Sequence, residues 1–547
     1  MQMPEMTGHV DTFCAENAPP REMWPERDWS RIPELAYSDW MNSAGELLDS
    51  VIESGRGERI VFRSPGGTWT YQQLFERANQ IAHVLVEDFG ILPGNRVLLR
   101  GPNNPMMAAC WFAVLKAGGV VVCTMPLLRE REIRYLADKA RIKLALTDTR
   151  FAGECESGFA TRGDGARRDD SHVVHFNSDE EQGLERRMRS RSTAFTNHRT
   201  ASDDTAIIAF TSGTTGEGKG TMHSHRDIMA ITDCFPRYVL KPSADDLFCG
   251  SPPLAFTYAL GGLLLFPMRF GAASLLLETA TPPHLLQAIE EYKPTVCFTA
   301  PTAYRAMHGM LTGRDVSSLR KCVSAGETLP RSVFDSWLDA TGIKIIDGIG
   351  ATEMLHIFIS AAEDEIRPGA TGKVVPGYQA RVVDDDGNDV PPGTVGRLAV
   401  RGPTGCRYLD NIPQQRKYVE NGWNLTGDSY KLDADGYFWY QARSDDMIIS
   451  GGYNIAGPEV ENVLLEHTAV QECAVVGEPD EDRGHIVKAY IVLRPGQSAD
   501  DALKKELQDF VKARIAPYKY PRAVEFAEVL PRTSTGKLQR YRLRERK

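Results

Sequence analysis

The stretch Ala206-Ile-Ile-Ala-Phe-Thr-Ser-Gly-Thr-Thr-Gly-Glu-Gly-Lys-Gly220 decides how this chain is read. Its first five residues are a short apolar run of the kind that forms a strand buried on both faces. Almost everything after them is glycine, hydroxyl residue or lysine. Glycines let backbone N–H groups approach an anion, while hydroxyls and an ammonium add donors for phosphate oxygens. A flexible surface loop shares this composition but not its position directly behind a core strand. Gly213 to Lys219 also satisfies G-x-x-x-x-G-K, the phosphate loop of another nucleotide-binding class. That loop needs Ser or Thr after the lysine to hold Mg²⁺, and here Gly220 follows. The helix beyond it, in TMHSHRDIMA, shows no clear cap.

On either side of this loop, apolar runs alternate with amphipathic stretches. GTWTYQQLFERANQIAHVLV reads as a short strand and a helix, NRVLLRG as a strand, MMAACWFAVLKAGG as a helix closed by glycine, and VVVCTMP as another strand. The unit recurs at SLLLE, TVCFTA, KCVSAG and KIIDGIG. Such alternation predicts an α/β fold with parallel sheets flanked by helices. The first ~45 residues, rich in Pro, Trp and charge, read as an arm laid over this body. Glu154 to Asp203 interrupts the rhythm with charge and is expected to be a solvated, partly disordered loop. From Gly369 to Tyr440 short strands and DDDGNDVPPG-type turns predict a small β-rich subdomain. After SDDMIIS, about 100 residues alternate again, enough for a small α+β domain. The expected division is 1–444 for a large N-terminal domain and 445–547 for a small mobile C-terminal one.

The chain has 547 residues and a formal charge of -10. That balance argues against nucleic acid as partner, since phosphate neutralisation needs a net basic face. Ten cysteines form neither a CxxC pair nor a Cys/His cluster at metal-ligand spacing. The N-terminus lacks the basic-then-apolar pattern of a secretory signal, and the apolar run Ala259–Met268 is too short to span a bilayer. A cytoplasmic protein without membrane partners is expected, as monomer or homodimer.

Further motifs follow in order: Ser324-Ala-Gly-Glu-Thr-Leu-Pro330, Asp347-Gly-Ile-Gly-Ala-Thr-Glu353, Gly396-Arg-Leu-Ala-Val-Arg-Gly-Pro403 and Gly422-Trp-Asn-Leu-Thr-Gly-Asp428. Ala442-Arg-Ser-Asp-Asp-Met-Ile-Ile-Ser-Gly-Gly-Tyr-Asn-Ile455 and Pro531-Arg-Thr-Ser-Thr-Gly-Lys-Leu-Gln-Arg540 complete the set. With TSGTTGEGKG, this series resembles the acyl-adenylate-forming superfamily of acyl-CoA synthetases, luciferases and nonribosomal adenylation domains. One departure is Gly218, where that superfamily usually carries Pro; it loosens the loop but removes no ligand group.

The resemblance implies ATP, Mg²⁺ and coenzyme A as cofactor and co-substrates. It assigns Thr211, Ser212, Gly213, Thr214, Thr215 and Lys219 to the β- and γ-phosphates, with His225 also among the nucleotide-binding residues. Ala325, Gly326 and Glu327 would line the adenine, Asp347 and Gly348 would meet its amino edge, and Asp428 and Arg443 would hold the ribose. Thr352 and Glu353 would touch the α-phosphate, with Glu353 on Mg²⁺, as a hard cation prefers carboxylate oxygen. Lys537 would bridge the acyl carboxylate and the α-phosphate. Asp445 would be the hinge about which the small domain turns, bringing Gly451 and Gly452 to the thiol tunnel.

The acid is expected to be a small aromatic carboxylic acid. Phe256, Thr257, Tyr258, Ala259, Gly350 and His356 fall in segments resembling the aryl pocket of benzoate-type CoA ligases. His9-Val-Asp-Thr-Phe13 and Pro19-Pro-Arg-Glu-Met-Trp24 resemble the 2-aminobenzoate (anthranilate) branch instead. Thr257 would face an ortho substituent; alternatively it simply packs, and His356 bonds only to backbone. Benzoate as substrate, and a carrier-protein phosphopantetheine supplied in trans as acceptor, stay open.

Overall fold

The protein is described by a computed structural model covering residues 6–168, 171–211, 218–443, 446–450, 453–480, 483–515, 517–533 and 537–545. Two large sheets form the body. In the first, His172–Phe176, Leu144–Asp148, Arg96–Arg100, Val120–Thr124 and Thr205–Thr211 run parallel in that spatial order, and Lys219–Ser224 closes the edge antiparallel. In the second, a parallel centre runs from Ile345–Gly350 through Lys321–Ser324, Val296–Thr299, Leu247–Gly250 and Ala273–Leu275 to Ile60–Ser64, with antiparallel strands at both edges.

The helix Pro105–Lys116 is buried along its whole length, as expected of a helix apolar on every side. Its core cluster draws Val97, Leu99 and Val121 from the first sheet and Phe62, Phe248 and Phe298 from the second. Asn104 caps the helix by accepting the Met107 N–H. A third, antiparallel sheet joins Gln379–Val383, Val395–Arg401, Trp423–Leu432 and Phe438–Arg443. The C-terminal portion has its own sheet, in which Val470–Asp480 pairs with Gly484–Leu493, backed by Gly457–Leu465 and Asp501–Lys512 around a separate apolar core. The α/β class read from the sequence is the one observed.

The N-terminal arm is tied to distant parts of the body. The Thr7 hydroxyl and Gly8 N–H donate to Asp204. The Glu26 N–H donates to Gly422 O at 2.9 Å, and Arg27 pairs with Asp227 at 2.9 Å.

Two readings of the sequence are corrected here. Glu154 to Asp203 is not a solvated loop: it carries part of the helix Ala152–Ala160, the edge strand His172–Phe176 and the helix Leu184–Met188. Some of its charges pair with the body, Arg168 with Asp138 and Arg187 with Asp88, which ties a charged segment to the sheet edge. The helix His225–Asp233 is capped after all, by a box in which Ser224 and Asp227 satisfy each other's backbone N–H.

Candidate active site

The phosphate-loop segment joins two antiparallel strands, with Thr211 opposite Lys219. A strand-to-strand crossing is not the strand-to-helix passage that G-x-x-x-x-G-K requires, which removes that rival on geometry. Ser212, Gly213, Thr214 and Thr215 lie outside the described residues.

Beyond the strand Lys321–Ser324 the chain turns through Ala325, Gly326 and Glu327. Gly326 has φ +88, a region open to glycine and strained for other residues. In the neighbouring parallel strand Asp347 stands opposite Ser324. Asp347 Oδ1 is buried without a partner, and burial pushes this carboxyl up to about 7. The Gly348 N–H and the Ser324 hydroxyl oppose that rise, and Oδ1 keeps capacity to accept a further donor. Gly348 and Gly350 follow because the strand Ile357–Ser360 comes close: a Cβ on Gly350 would sit 2.7 Å from His356 O.

The turn Thr352–Met354 is braced from three sides. His223 Nε2–H donates to Thr352 O at 2.7 Å, Thr404 Oγ1 to Met354 O at 2.9 Å, and Tyr408 Oη to Glu353 Oε1 at 2.6 Å. Behind His223 stands Asp227, wholly buried, 3.8 Å from its Nδ1. Burial pushes the Asp227 carboxyl up, but Arg27, Arg407 and His223 outweigh that and hold it below the usual range. The arm therefore reaches the turn through Arg27, Asp227 and His223. None of His223, Thr404 and Tyr408 was singled out in the sequence. Tyr408 lies five residues past the GRLAVRGP run, and only its position after a recognised motif could have drawn notice.

Asp428 and Arg443 are partners on adjacent strands, 3.2 Å apart, and Arg443 also donates to Thr426 O at 3.1 Å. Burial raises the Asp428 carboxyl, with Arg443 opposing. Gly427, at φ +76, leaves the room: a Cβ there would meet Arg443 Nη2 at 2.8 Å.

Lys537 comes from the other end of the chain. Its N–H donates to Thr533 Oγ1 at 3.0 Å, the Thr533 N–H donates back to Lys537 O at 2.7 Å, and Arg532 bridges Leu538. This small hairpin sets Lys537 Cε 3.9 Å from the place a Cβ on Gly326 would take. The lysine and the adenine-lining segment named in the sequence thus come together, some 200 residues apart in the chain.

His225 does not join this group. It is fully buried, its Nδ1 meets Ser43 Oγ at 2.8 Å and the Ser43 N–H at 3.1 Å, and burial lowers its pKa to about 3. It anchors the helix to the segment after the arm, and its expected contact with nucleotide is withdrawn. Asp445, Gly451 and Gly452 lie outside the described residues.

Of the residues expected to form an aryl pocket, Tyr258 and Gly350 lie against His356. Phe256 precedes the turn Thr257–Ala259, in which Ala259 is buried and Thr257 and Tyr258 are half-buried. Tyr258 Oη donates to Val323 O at 3.1 Å and so spans to the strand Lys321–Ser324. His356 lies with its ring centroid 5.8 Å from that of Tyr258 and 4.5 Å from that of Phe266, edge-on to the latter. Its Nε2 faces Tyr258 O at 3.2 Å, so that nitrogen carries the proton and Nδ1 is an acceptor. Nδ1 is buried without a partner, and burial lowers the imidazole to about 3, leaving it neutral. Gly261 admits the ring, since a Cβ there would sit 2.3 Å from His356 Cδ2.

Residues 51–407 match the AMP-binding enzyme family, and 459–537 match the AMP-binding enzyme C-terminal domain. The chain belongs to the AMP-binding enzymes. This AMP-binding enzyme is 34% identical over 520 residues to the benzoate–CoA ligase of Thauera aromatica, across 94% of this chain and 97% of that one. Among solved structures, the anthranilate CoA ligase AuaEII in complex with anthranoyl-AMP aligns at TM-score 0.88 with 34% identity, over 94% of this AMP-binding enzyme and 98% of the other. A benzoate CoA ligase from Burkholderia xenovorans LB400 aligns at 0.83 with 31% identity, over 92% and 100%. No helix among the described residues is long and apolar enough to cross a membrane.

Proposed function

We propose that the chain joins an aromatic carboxylic acid to coenzyme A through an acyl-adenylate, with 2-aminobenzoate as its preferred acid. The coarser part, an AMP-forming acid–CoA ligase of the aryl branch, rests on the family and on relatives that are benzoate and anthranilate CoA ligases. In this reading the acid's carboxylate attacks the α-phosphate of ATP and expels diphosphate, and the CoA thiol then displaces AMP from the acyl carbon. The observation that carries it is Lys537 held over Gly326, on the segment that follows the strand paired with Asp347.

Each residue has a stated task. Asp347 accepts from the adenine amino group, Asp428 accepts from the ribose hydroxyls, and Thr211 and Lys219 meet the outer phosphates. Lys537 sits between two anions and offsets the charge that develops as they react. Thr352 and Glu353 supply hard oxygen donors of the kind Mg²⁺ takes alongside substrate phosphates, so Glu353 would hold the cation. Tyr408 fixes one oxygen of that carboxylate. When bound, the ion neutralises phosphate charge. A turn of the small domain about Asp445 would then exchange Lys537 for the Gly451–Gly452 segment, which lines the thiol path.

The choice of 2-aminobenzoate is supported by the neutral His356, whose buried Nδ1 is an acceptor among aromatic rings, and by Thr257, which begins the turn whose Tyr258 carbonyl meets His356 Nε2. An ortho amine is a donor for such a group. The test is a screen of ring-substituted benzoates for CoA-dependent AMP release. ADP in place of AMP would overturn the chemistry. Preference for benzoate, or for a fatty acid over every aryl acid, would overturn the pocket reading alone.

A further inference from the structure

Four charges of alternating sign stand between the C-terminal portion and the body. Arg305 lies on the helix Pro301–His308, Glu472 on the strand Val470–Asp480, Arg532 at the base of the Lys537 hairpin, and Glu327 immediately after Gly326. Arg305 Nη2 is 3.6 Å from Glu472 Oε1, and Arg532 Nη2 is 2.7 Å from Glu472 Oε2. Arg532 Nη1 is in turn 3.7 Å from Glu327 Oε1. Glu327 is itself steadied by the Thr302 N–H, from the helix that carries Arg305. All four side chains are between 18% and 29% exposed, so water screens them only in part.

We infer that this chain of charges fixes the height of the Lys537 hairpin over Gly326, which makes Arg305 and Glu472 positioning residues of the adenylation step alone. Arg532 is the common element. It belongs to the hairpin that presents Lys537 and pairs with the residue next to the glycine beneath that lysine. Glu472 holds Arg532 from its own strand, and Arg305 holds Glu472 from the body. Two of the contacts, Arg305 to Glu472 and Arg532 to Glu327, cross between the two portions. Neither survives a rotation of the C-terminal portion, so neither assists the thioester step. The inference rests on the role proposed for Lys537.

The experiment measures the two half-reactions separately: diphosphate release in a single turnover, and thioester formation from supplied acyl-AMP. Glu472→Gln and Arg305→Gln, on different elements, are each expected to slow the first by about three- to tenfold, as fits a half-buried ionic network. Each should leave the second within about twofold. Glu472→Asp should recover part of the loss, and added salt should slow wild-type adenylation more than that of Glu472→Gln. Unchanged adenylation in both variants, or equal loss in both half-reactions, would overturn the inference. Lys537→Ala run in parallel separates the two claims: if it is selective for adenylation while the charge variants are not, only the positioning role fails. Equal loss in both half-reactions for Lys537→Ala would remove the role on which the inference rests.

Discussion

Lys537 lies over Gly326, its Cε 3.9 Å from the point where a side chain on that glycine would begin. This proximity brings the last signature of the chain next to the segment expected to line the adenine. Lys537→Ala is expected to slow acyl-AMP formation by about two to three decades, the cost of losing one positioned charge in a reacting site. Thioester formation from supplied acyl-AMP should be largely spared. Equal damage to both steps, read by rapid quench, would reject the assignment.

Tyr408 tests the support of Glu353. Tyr408→Phe removes the 2.6 Å donor from that carboxylate. A hydrogen bond to a charged group contributes about 1.5–3 kcal/mol, so the Mg²⁺ concentration for half-maximal adenylation should rise about tenfold or more. Direct Mn²⁺ binding in the presence of nucleotide, followed by electron paramagnetic resonance, should weaken in parallel. A normal metal dependence with a lowered melting temperature would leave Tyr408 a packing residue.

Asp347 makes ATP affinity depend on pH. Burial raises its carboxyl to about 7, so in the free protein the group binds a proton as pH falls below that value. The ionised form is the stronger acceptor for an amino donor, so ATP affinity should rise with pH from 6 to 8, with a proton released on binding. The sign for stability is opposite: the folded state holds this proton between the ordinary carboxylate value and about 7, so this group's contribution declines across that window as pH rises. Asp347→Asn should flatten the ATP dependence, measured by calorimetry in two buffers.

Gly261 is expected to govern binding of the acid and not of the nucleotide. In Gly261→Ala the new Cβ would fall 2.3 Å from His356 Cδ2, so the imidazole must move. The KM for the acid should rise at least tenfold while the KM for ATP stays within about twofold, since a pocket contact distorts ground-state binding of one substrate only. A matching rise in both would mean that the whole site had shifted.

Thr257→Ala addresses the ortho substituent. Wild type should favour 2-aminobenzoate over benzoate about threefold to tenfold in kcat/KM, the worth of one neutral hydrogen bond. It should reject 4-aminobenzoate more strongly, because a para amine adds steric overlap and an unpaired buried donor. The substitution should narrow the first gap. An unchanged ratio would assign Thr257 to packing.

Much of this architecture was open to reading because buried parallel strands announce themselves. AIIAF, VCF within TVCFTA and II within KIIDGIG are apolar runs, and each lies in a strand of the two large sheets. The strand His172–Phe176 was missed because two of its five residues are histidine and charge flanks it; its pairing with Leu144–Asp148 decides its state, and pairing is not local. The site divides the same way. Signature runs led to Asp347, Glu353 and Lys537, whereas their supports come from afar: His223 meets a carbonyl 129 residues on, and Tyr408 a carboxylate 55 residues back. His225 looked like a ligand beside a phosphate loop, and only its buried bond to Ser43 shows which way it faces.

The arm's long-range ties also set an order of events during synthesis. Arg27 must wait for Asp227, and Glu26 for Gly422, before their contacts exist. At about 5–20 residues per second, a ribosome needs roughly 20–80 s to travel from the arm to its last anchor. During that interval the arm can engage only its earlier anchors, Asp204 and Asp227 among them. Slowing translation between residues 227 and 422 should therefore prolong the exposure of the segment around Glu26 to proteases, because its bond to Gly422 is the last to form.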